Sequence, residues 1–273
     1  MLFQEGTAEV SLLDSAELAG PVADDWWTTF HTAEMADLLL VRSSSEELRQ
    51  TLDFLVQELR LRPGDRAYDQ CCGIGSLSIP LAERGMQIVG ADLCDHYIAR
   101  AQREAKGNCR FVCGDAFQFV PEAPCDGVFN WYSSFGYALT DARNAQMIRR
   151  AYESLRPGGL FALEMPNFFS LLRNFQPRME RQGVSAGRDV TLVRESTIDM
   201  RRGRLEQVWT WNTAGREPFH HRSALRIYFS YQIAEMFDEC GFTDIRFFAD
   251  VRSKKFTLDD PRFICVGERP TEV

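Results

Sequence analysis

Two glycines mark a turn where a ligand could bind. The stretch AYDQCCGIGSLSIPLAERG begins at Ala67 and has the pattern of a strand, a tight turn and a helix, with Gly73 and Gly75 in the turn. In a doubly wound sheet, ligands bind beyond the carboxyl ends of the strands, where glycine lets the backbone approach closely. An ordinary strand-to-helix turn has the same two glycines, so the turn alone does not identify a ligand.

Three aspartates follow three successive predicted strands. Asp69 closes the first strand, Asp92 ends the second, and Asp115 follows the third in FVCGDAFQF. A carboxylate at Asp92 can accept hydrogen bonds from both hydroxyls of a ribose. One at Asp115 can accept a hydrogen bond from the exocyclic amine of adenine, while Ala116 or Phe117 lines the ring. Together these residues predict a site for an adenosyl group.

A nicotinamide dinucleotide is the alternative ligand. GIGSLS nearly fits the pattern G-x-G-x-x-G, with Ser78 in the third glycine position. A pyrophosphate site favours a helix N-terminus without a carboxylate just before the turn, yet Asp69 is there. Asp115 would also have no evident partner in a dinucleotide site. The aspartates therefore favour the adenosyl interpretation.

The elements around the turn alternate between strand and helix. Strands are predicted near 66–70, 87–91, 109–113, 125–130 and 159–164, with helices near 76–84, 95–106 and 142–155. An amphipathic helix, from Leu48 to Leu59, precedes them, and a helix at Tyr231–Cys240 and two final strands, DIRFFAD and RFICVGE, follow. This order predicts an α/β fold with a doubly wound, mostly parallel sheet covered by helices on both faces.

A different pattern interrupts this alternation. DVTLVRESTIDM, RLEQVWTWNT and HRSALRIYFSYQ have the character of three strands joined by turns at 201–204 and 213–218. Consecutive strands with short connections predict a small antiparallel insertion at 166–228. We therefore expect an N-terminal segment over 1–44 and a domain over 45–273 that the insertion interrupts.

Composition excludes several classes of protein. A net charge of −8 over 273 residues argues against a nucleic-acid partner, which needs a basic face. No apolar run approaches the roughly 20 residues of a membrane span, and MLFQEGTAEVSLLDSAELAG lacks the basic start of a secretory signal. The eight cysteines include no C-x-x-C and no zinc spacing, and the four histidines form no recognisable ligand set. We expect no metal, free buried thiols and a cytoplasmic protein.

Five motifs in order resemble one family. Residues 69–75, Asp92, Gly114-Asp115-Ala116, CDGVFNWYSSFGYAL and LRPGG are together similar to the class I S-adenosylmethionine-dependent methyltransferases. The resemblance covers about 45–165, and 230–267 matches the final helix and antiparallel strand pair of that fold. It implies a seven-stranded sheet whose last strand is antiparallel. Small-molecule methyltransferases of bacterial biosynthesis also have a segment similar to DDWWTTFHT upstream of this core.

The resemblance implies a set of cofactor-binding residues. Asp69 would orient the amino group of S-adenosylmethionine, and Asn130 would face the methyl donor. Cys71 stands where the family has a glycine, and we expect that replacement to be mild because a small cysteine is tolerated where φ is negative. The implied cofactor set is Asp69, Cys71, Gly73, Gly75, Asp92, Leu93, Asp115, Ala116, Phe117, Asn130 and, from a lid, Trp27 and Thr28.

The acceptor pocket is expected to be aromatic. The candidate acceptor-binding residues follow the fourth strand, belong to the lid or lie in the insertion: Trp131, Tyr132, Phe135, Tyr137, Phe30, Trp209 and Tyr228. Three residues could act as a general base, namely Glu164 at the end of the fifth strand, His220 and His221. For each of them a structural role is the competing interpretation.

The expected function is methyl transfer to a small organic acceptor in a biosynthetic pathway. An amine on an amino sugar or a modified amino acid is the first candidate, and an oxygen or a carbon acceptor follows. An NAD-dependent oxidoreductase and a non-catalytic nucleotide-binding subunit are the alternatives from other classes. The insertion at 166–228 could cover the acceptor or form the contact of a homo-oligomer.

Overall fold

Seven strands form one mixed sheet, and four more form a separate antiparallel sheet. The computed structural model describes residues 22–40, 45–132 and 134–271. The first sheet and its helices comprise β1 (Arg66–Gln70), β2 (Gln87–Asp92), β3 (Cys109–Cys113), β4 (Cys125–Asn130), β5 (Leu155–Pro166), β10 (Thr243–Phe248) and β11 (Arg262–Glu268), with helices α3 (Ser45–Glu58), α4 (Ser78–Glu83), α5 (Asp95–Glu104), α6 (Asp141–Ser154) and α8 (Ser230–Cys240).

The strand order of the first sheet is β10-β11-β5-β4-β1-β2-β3. Strands β1 to β5 pair in parallel, and β11 lies antiparallel between β5 and β10. The order reverses between β1 and β4, so a crevice opens at the carboxyl ends of these two strands. The predicted doubly wound sheet with an antiparallel last strand is confirmed.

Apolar side chains cover both faces of this sheet. On one face Ile148 of α6 and Phe237 of α8 pack over the sheet, and on the other face Leu55 of α3 and Leu81 of α4 do so. Each of these four side chains is fully buried. Burial on both faces holds the strand ends at fixed positions, and with them the turns that follow β1, β2 and β4.

The insertion has four strands where the sequence analysis predicts three. After β5 come α7 (Phe168–Arg173), β6 (Arg178–Ser185), β7 (Arg188–Asp199), β8 (Arg204–Thr213) and β9 (Phe219–Arg226), paired in the order β6-β7-β8-β9. The missed strand, β6, is an exposed edge strand with the sequence RMERQGVS, which lacks apolar alternation. The third predicted strand extends too far along the chain, since β9 ends at Arg226. The backbone N–H of Phe229 donates to the Gln232 side chain and caps α8 instead.

The N-terminal segment packs against this second sheet. It contains the short helices α1 (Trp27–Phe30) and α2 (Ala33–Met35) and a π-helical turn, Ala36–Leu40. Trp26, Phe30 and Leu38 form an apolar cluster with Leu192 of β7 and Trp211 of β8. Residues 1–21 and 41–44 of the expected lid lie outside the described residues. None of the described helices is long and apolar enough to cross a membrane.

Candidate functional site

A cavity of about 790 Å³ lies between the carboxyl ends of β1, β2 and β4 and the inner face of the second sheet. A smaller cavity of about 70 Å³ adjoins it. Five residues line both cavities: His31, Cys71, Asp92, Ser134 and Tyr137. The two cavities therefore share part of their walls, and the larger one reaches from the glycine turn to β7, β8 and β9.

The turn after β1 is built from residues with positive φ. Gly73 has φ of +55° and Gly75 has φ of +80°, and Cys71 has φ of +65°. The expectation that Cys71 replaces glycine mildly is therefore wrong, because a side chain in the left-handed region costs about 1–2 kcal/mol. The Cys71 thiol sits 3.9 Å from the Nδ2 amide of Asn130, and burial raises the pKa of this thiol well above its ordinary value.

Asp92 ties the turn to the end of β2. Its carboxylate accepts hydrogen bonds from the backbone N–H of Gly73 at 2.8 Å and from that of Cys94 at 2.9 Å. Each oxygen keeps a further lone pair, which suits the two hydroxyls of a ribose. Burial raises the pKa of Asp92, although these backbone hydrogen bonds oppose the shift.

Asp69 is a second carboxylate of the same cavity. It is 3% exposed and accepts a hydrogen bond of 2.6 Å from the Ser78 hydroxyl. Burial, with a smaller contribution from the nearby Asp92 charge, raises the pKa of Asp69 to about 7. Within the described ranges, neither Asp69 nor Asp92 has a basic side chain at ion-pair distance. The cavity thus presents two carboxylates whose charge no protein cation balances.

The smaller cavity collects the residues predicted to surround adenine. Trp27, Thr28, Leu93, Asp115, Ala116 and Phe117 all line it. The Asp115 carboxylate accepts hydrogen bonds from the Phe117 backbone at 2.9 Å and from the Gln118 amide at 3.2 Å. The Trp27 and Phe117 rings lie 5.8 Å apart, a distance typical of packed aromatic pairs. A flat apolar slot with a carboxylate at one side matches an adenine base.

Two members of the predicted cofactor set lie outside both cavities. Gly75 packs against the sheet, where an added Cβ would lie 2.9 Å from the Phe111 ring. Asn130 is fully buried and donates a hydrogen bond of 3.0 Å to the Gln70 side chain, while its Oδ1 has no partner among the described residues. Both residues support the turn through these contacts, and their direct contact with a cofactor stays a prediction.

The predicted acceptor-binding residues divide into two groups. The first group lines the large cavity: Phe30, Trp131, Tyr132, Tyr137 and Trp209. The second group, Phe135 and Tyr228, is 1% and 0% exposed and packs ring against ring at 5.5 Å. The Tyr228 hydroxyl donates to Asp141 at 2.8 Å. Phe135 and Tyr228 therefore pack in the core, and their contact with an acceptor stays a prediction.

Glu164 is not among the residues that line the two cavities, and both of its carboxylate oxygens accept hydrogen bonds. Its Oε2 accepts hydrogen bonds from the backbone N–H of Tyr132 at 2.9 Å and from Nη2 of Arg262 at 2.6 Å, and Oε1 is bound by Nε of Arg262. Tyr132 has φ of +66°, an unfavourable conformation that this hydrogen bond helps to fix. These contacts give Glu164 a structural role, the positioning of Tyr132 in the cavity wall, and its assignment as a base stays a prediction.

The two predicted histidine bases also lie away from the cavity. His220 hydrogen bonds to the Thr210 hydroxyl at 3.0 Å, and His221 to the carbonyl oxygen of Trp26 at 3.2 Å. Since a carbonyl can only accept, Nε2 of His221 carries a proton and donates it to that bond. Burial lowers the pKa of His221. The structure gives His221 the role of joining the second sheet to the N-terminal segment.

The sequence analysis missed His31 as a site residue. His31 lines both cavities, and its Nδ1 donates to the carbonyl oxygen of Trp27 at 3.3 Å. Burial, with smaller contributions from His96 and His221, lowers its pKa to about 4. The imidazole is therefore neutral at pH 7. His31 lies in DDWWTTFHT, the segment that is expected to close over the cofactor. This position in the sequence is the signal that could have identified His31 as a site residue.

Comparison with known proteins identifies the domain. Residues 67–159 match the family model described as a methyltransferase domain. An S-adenosyl-L-methionine-dependent Diels-Alderase, iccD of Talaromyces variabilis, is 30% identical over 126 residues, which are 43% of this chain and 42% of that protein. The chain spans less than half the length of iccD and of two 23S rRNA (uracil(1939)-C(5))-methyltransferases that it also matches, from Shewanella amazonensis and Thiobacillus denitrificans.

Solved structures share the fold over most of the chain. The CcbJ methyltransferase from Streptomyces caelestis has a TM-score of 0.72 at 17% identity, covering 87% of this chain and 96% of that one. The sugar N-methyltransferase KedS8 from Streptoalloteichus has a TM-score of 0.66 at 18% identity, covering 99% and 100%. The resemblance to the methyltransferases is confirmed by the family match over residues 67–159, and the solved structures show that the chain shares their fold.

Proposed function

We propose that this protein transfers a methyl group from S-adenosylmethionine to a small organic acceptor, with an amine as the methylated group. The observation that carries the proposal is a pair of carboxylates that line the large cavity, the buried Asp69 and the half-buried Asp92, with no basic side chain of the described residues at ion-pair distance from either. Burying uncompensated negative charge is costly unless a ligand brings positive charge. S-adenosylmethionine brings two positive groups, an ammonium and a sulfonium.

The residues of the two cavities fit this cofactor from end to end. Asp115 and Phe117 would hold the adenine, and Asp92 the ribose hydroxyls. Gly73 lines the large cavity, and its lack of a side chain would let the cofactor's sulfur approach the backbone of the turn. Asp69 would bind the ammonium. When bound, the cofactor supplies a methyl group that is already activated on a positively charged sulfur.

A dinucleotide fits the same residues poorly. Its pyrophosphate carries two negative charges and would lie at the turn, next to the carboxylates of Asp69 and Asp92. Like charges a few ångströms apart in a buried site repel strongly. This repulsion favours a cationic cofactor over NAD.

The chain's own contribution is to position the acceptor and exclude water. Holding a lone pair in line with an activated methyl group can supply on the order of 7–11 kcal/mol of the barrier reduction. Tyr132 and Tyr137 line the cavity close to the glycine turn, and Glu164 fixes the Tyr132 backbone. His31 is neutral at pH 7, so this wall of the cavity adds no positive charge that would repel a sulfonium.

The second sheet supports a small acceptor. Its inner face lines the large cavity with Leu192, Gln207, Trp209 and Ser223, so we propose that the insertion at 166–228 covers the acceptor. KedS8, which has this fold, is a sugar N-methyltransferase, and this supports an amine. A net charge of −8 supports a small molecule over nucleic acid. All eight cysteines are free, which supports a cytoplasmic location.

The experiment is methyl transfer by the purified protein with S-adenosylmethionine and a panel of amino sugars and amino acids, with release of S-adenosylhomocysteine as the readout. Asp92→Ala should lose cofactor affinity roughly ten- to a hundredfold, because charge-assisted hydrogen bonds contribute about 1.5–3 kcal/mol. Asp95→Ala is the matched control, since Asp95 is exposed three residues further on. Equal affinity in both variants would contradict the ribose assignment.

A further inference from the structure

A guanidinium on the second sheet faces the acceptor half of the large cavity. Arg194 of β7 lies directly opposite Trp209 of β8 in the strand pairing, and both residues line the cavity. Directly opposite residues of an antiparallel pair share one face of the sheet. The Arg194 guanidinium carbon lies 5.4 Å from the centre of the Trp209 ring, which is a cation–π distance.

The charge of Arg194 has no counterion in the described part of the chain. No carboxylate of residues 22–40, 45–132 or 134–271 lies within ion-pair distance of its guanidinium. Its Nε is buried without a hydrogen-bond partner, and one terminal nitrogen contacts the Met179 sulfur. Burial lowers the pKa of Arg194, which shows that the cation is poorly solvated. A guanidinium in this position favours an anionic partner.

The neighbouring charges do not supply that partner. Glu180 also lines the cavity, but its carboxylate accepts a hydrogen bond of 3.3 Å from Gln182 and forms no ion pair with Arg194. Arg262 is bound to Glu164. The cavity therefore has two electrostatic halves, with uncompensated acids at the glycine turn and an uncompensated base under the second sheet.

We propose that the methyl acceptor carries an oxyanion, a carboxylate or a phosphate, and that Arg194 binds it while Trp209 packs against the adjoining apolar part of the acceptor. The inference rests on the proposed function and names its substrate class. The planar fork of arginine matches the two oxygens of either group. The Gln207 side chain and the Ser223 hydroxyl line the same wall and can complete the hydrogen bonds.

The test measures anion binding to the protein saturated with S-adenosylhomocysteine. Benzoate, phenyl phosphate and the neutral benzamide are titrated separately and followed by calorimetry and tryptophan fluorescence. At least one anion should bind saturably and at least tenfold more tightly than benzamide. Arg194→Gln should weaken that binding tenfold or more, Arg194→Lys should weaken it less, and Arg188→Gln should leave it unchanged, since Arg188 is exposed at the start of the same strand.

The two anions distinguish the source of the oxyanion. Loss of benzoate binding in Arg194→Gln identifies a carboxylate, and loss of phenyl phosphate binding identifies a phosphate. Unchanged binding of both, or no saturable binding of either to the wild type, would overturn the proposal. The affinity for S-adenosylhomocysteine is measured on the same samples and should be equal in the wild type and Arg194→Gln. If the wild type does not bind S-adenosylhomocysteine, that result contradicts the proposed function, independently of the anion result.

Discussion

The raised pKa of Asp69 predicts that cofactor binding depends on pH. In the free protein this pKa is about 7, mainly because the carboxyl is buried. A bound ammonium stabilises the charged form, so binding lowers the pKa towards its ordinary value. Below pH 7 the carboxyl must release a proton before it can pair with the ammonium. Affinity for S-adenosylhomocysteine should therefore rise with pH up to about 7 and then level off.

The size of the effect follows from the fraction of Asp69 that is protonated. With a pKa of about 7, about nine in ten free proteins carry the proton at pH 6, and about one in four at pH 7.5. The expected gain in affinity between these pH values is roughly eightfold, or on the order of 1 kcal/mol. Calorimetric titration at several pH values measures it. Asp92 acts in the same direction, because burial raises its pKa too.

Asp69→Asn is the variant that assigns the effect. This variant should bind S-adenosylhomocysteine more weakly than the wild type does at pH 7.5. Its affinity should also depend much less on pH. Any titration of the cofactor itself affects both proteins equally. A wild-type affinity that is equal at pH 6 and 7.5, or a full pH dependence in Asp69→Asn, would refute the reasoning.

The raised pKa of Asp69 also makes the free energy of unfolding depend on pH. The pKa of Asp69 is about 7 in the folded protein, above its ordinary value of 3.8, so the folded state holds the proton more tightly than the unfolded state. Stability of the cofactor-free protein should therefore fall as pH rises from about 4 to about 7. The contribution is on the order of 4 kcal/mol for a shift of about three pH units. Saturating S-adenosylhomocysteine should reduce this loss.

Three further predictions concern urea unfolding. Cys71→Gly should be more stable than Cys71→Ala by about 1 kcal/mol, because only alanine keeps a side chain at φ of +65°; equal stabilities would contradict the strain. Gly75→Ala should lower the free energy of unfolding by about 1–3 kcal/mol more than Gly187→Ala does. Both glycines have positive φ, but only a Cβ at Gly75 would contact a ring, that of Phe111. Equal losses would show that the Phe111 side chain moves to make room. Glu164→Gln should cost about 1–3 kcal/mol and Glu195→Gln, in an exposed ion pair, less than 1; the reverse order would show that the Glu164 bonds are not structural.

The sheet and its adenosyl site were predictable because they depend on local pattern. Strand and helix alternated clearly in 66–164, and the polar residues at strand ends, such as Asp92 and Asp115, had no other evident role. The carboxyl ends of parallel strands meet at one edge, so strand order alone brought these residues together. Strand β6 was missed because an exposed edge strand needs no apolar alternation.

The acceptor half could not be predicted in the same way. Whether an aromatic residue lines a cavity or fills a core depends on tertiary packing. Phe135 and Tyr137 are two positions apart, yet Phe135 is buried in the core and Tyr137 lines the cavity. Glu164 looked free in the sequence because its partner, Arg262, is 98 residues away. Arg194 became a candidate only once the pairing of β7 with β8 placed it opposite Trp209.

Whether the glycine turn binds an adenosyl cofactor is decided by calorimetric titration of the purified protein with S-adenosylhomocysteine, and in parallel with NAD. We expect saturable binding of S-adenosylhomocysteine at one site per chain and no binding of NAD. Binding of NAD in its place would mean that the turn at Gly73 holds a pyrophosphate beside Asp69 and Asp92, and it would contradict the proposal of a methyltransferase.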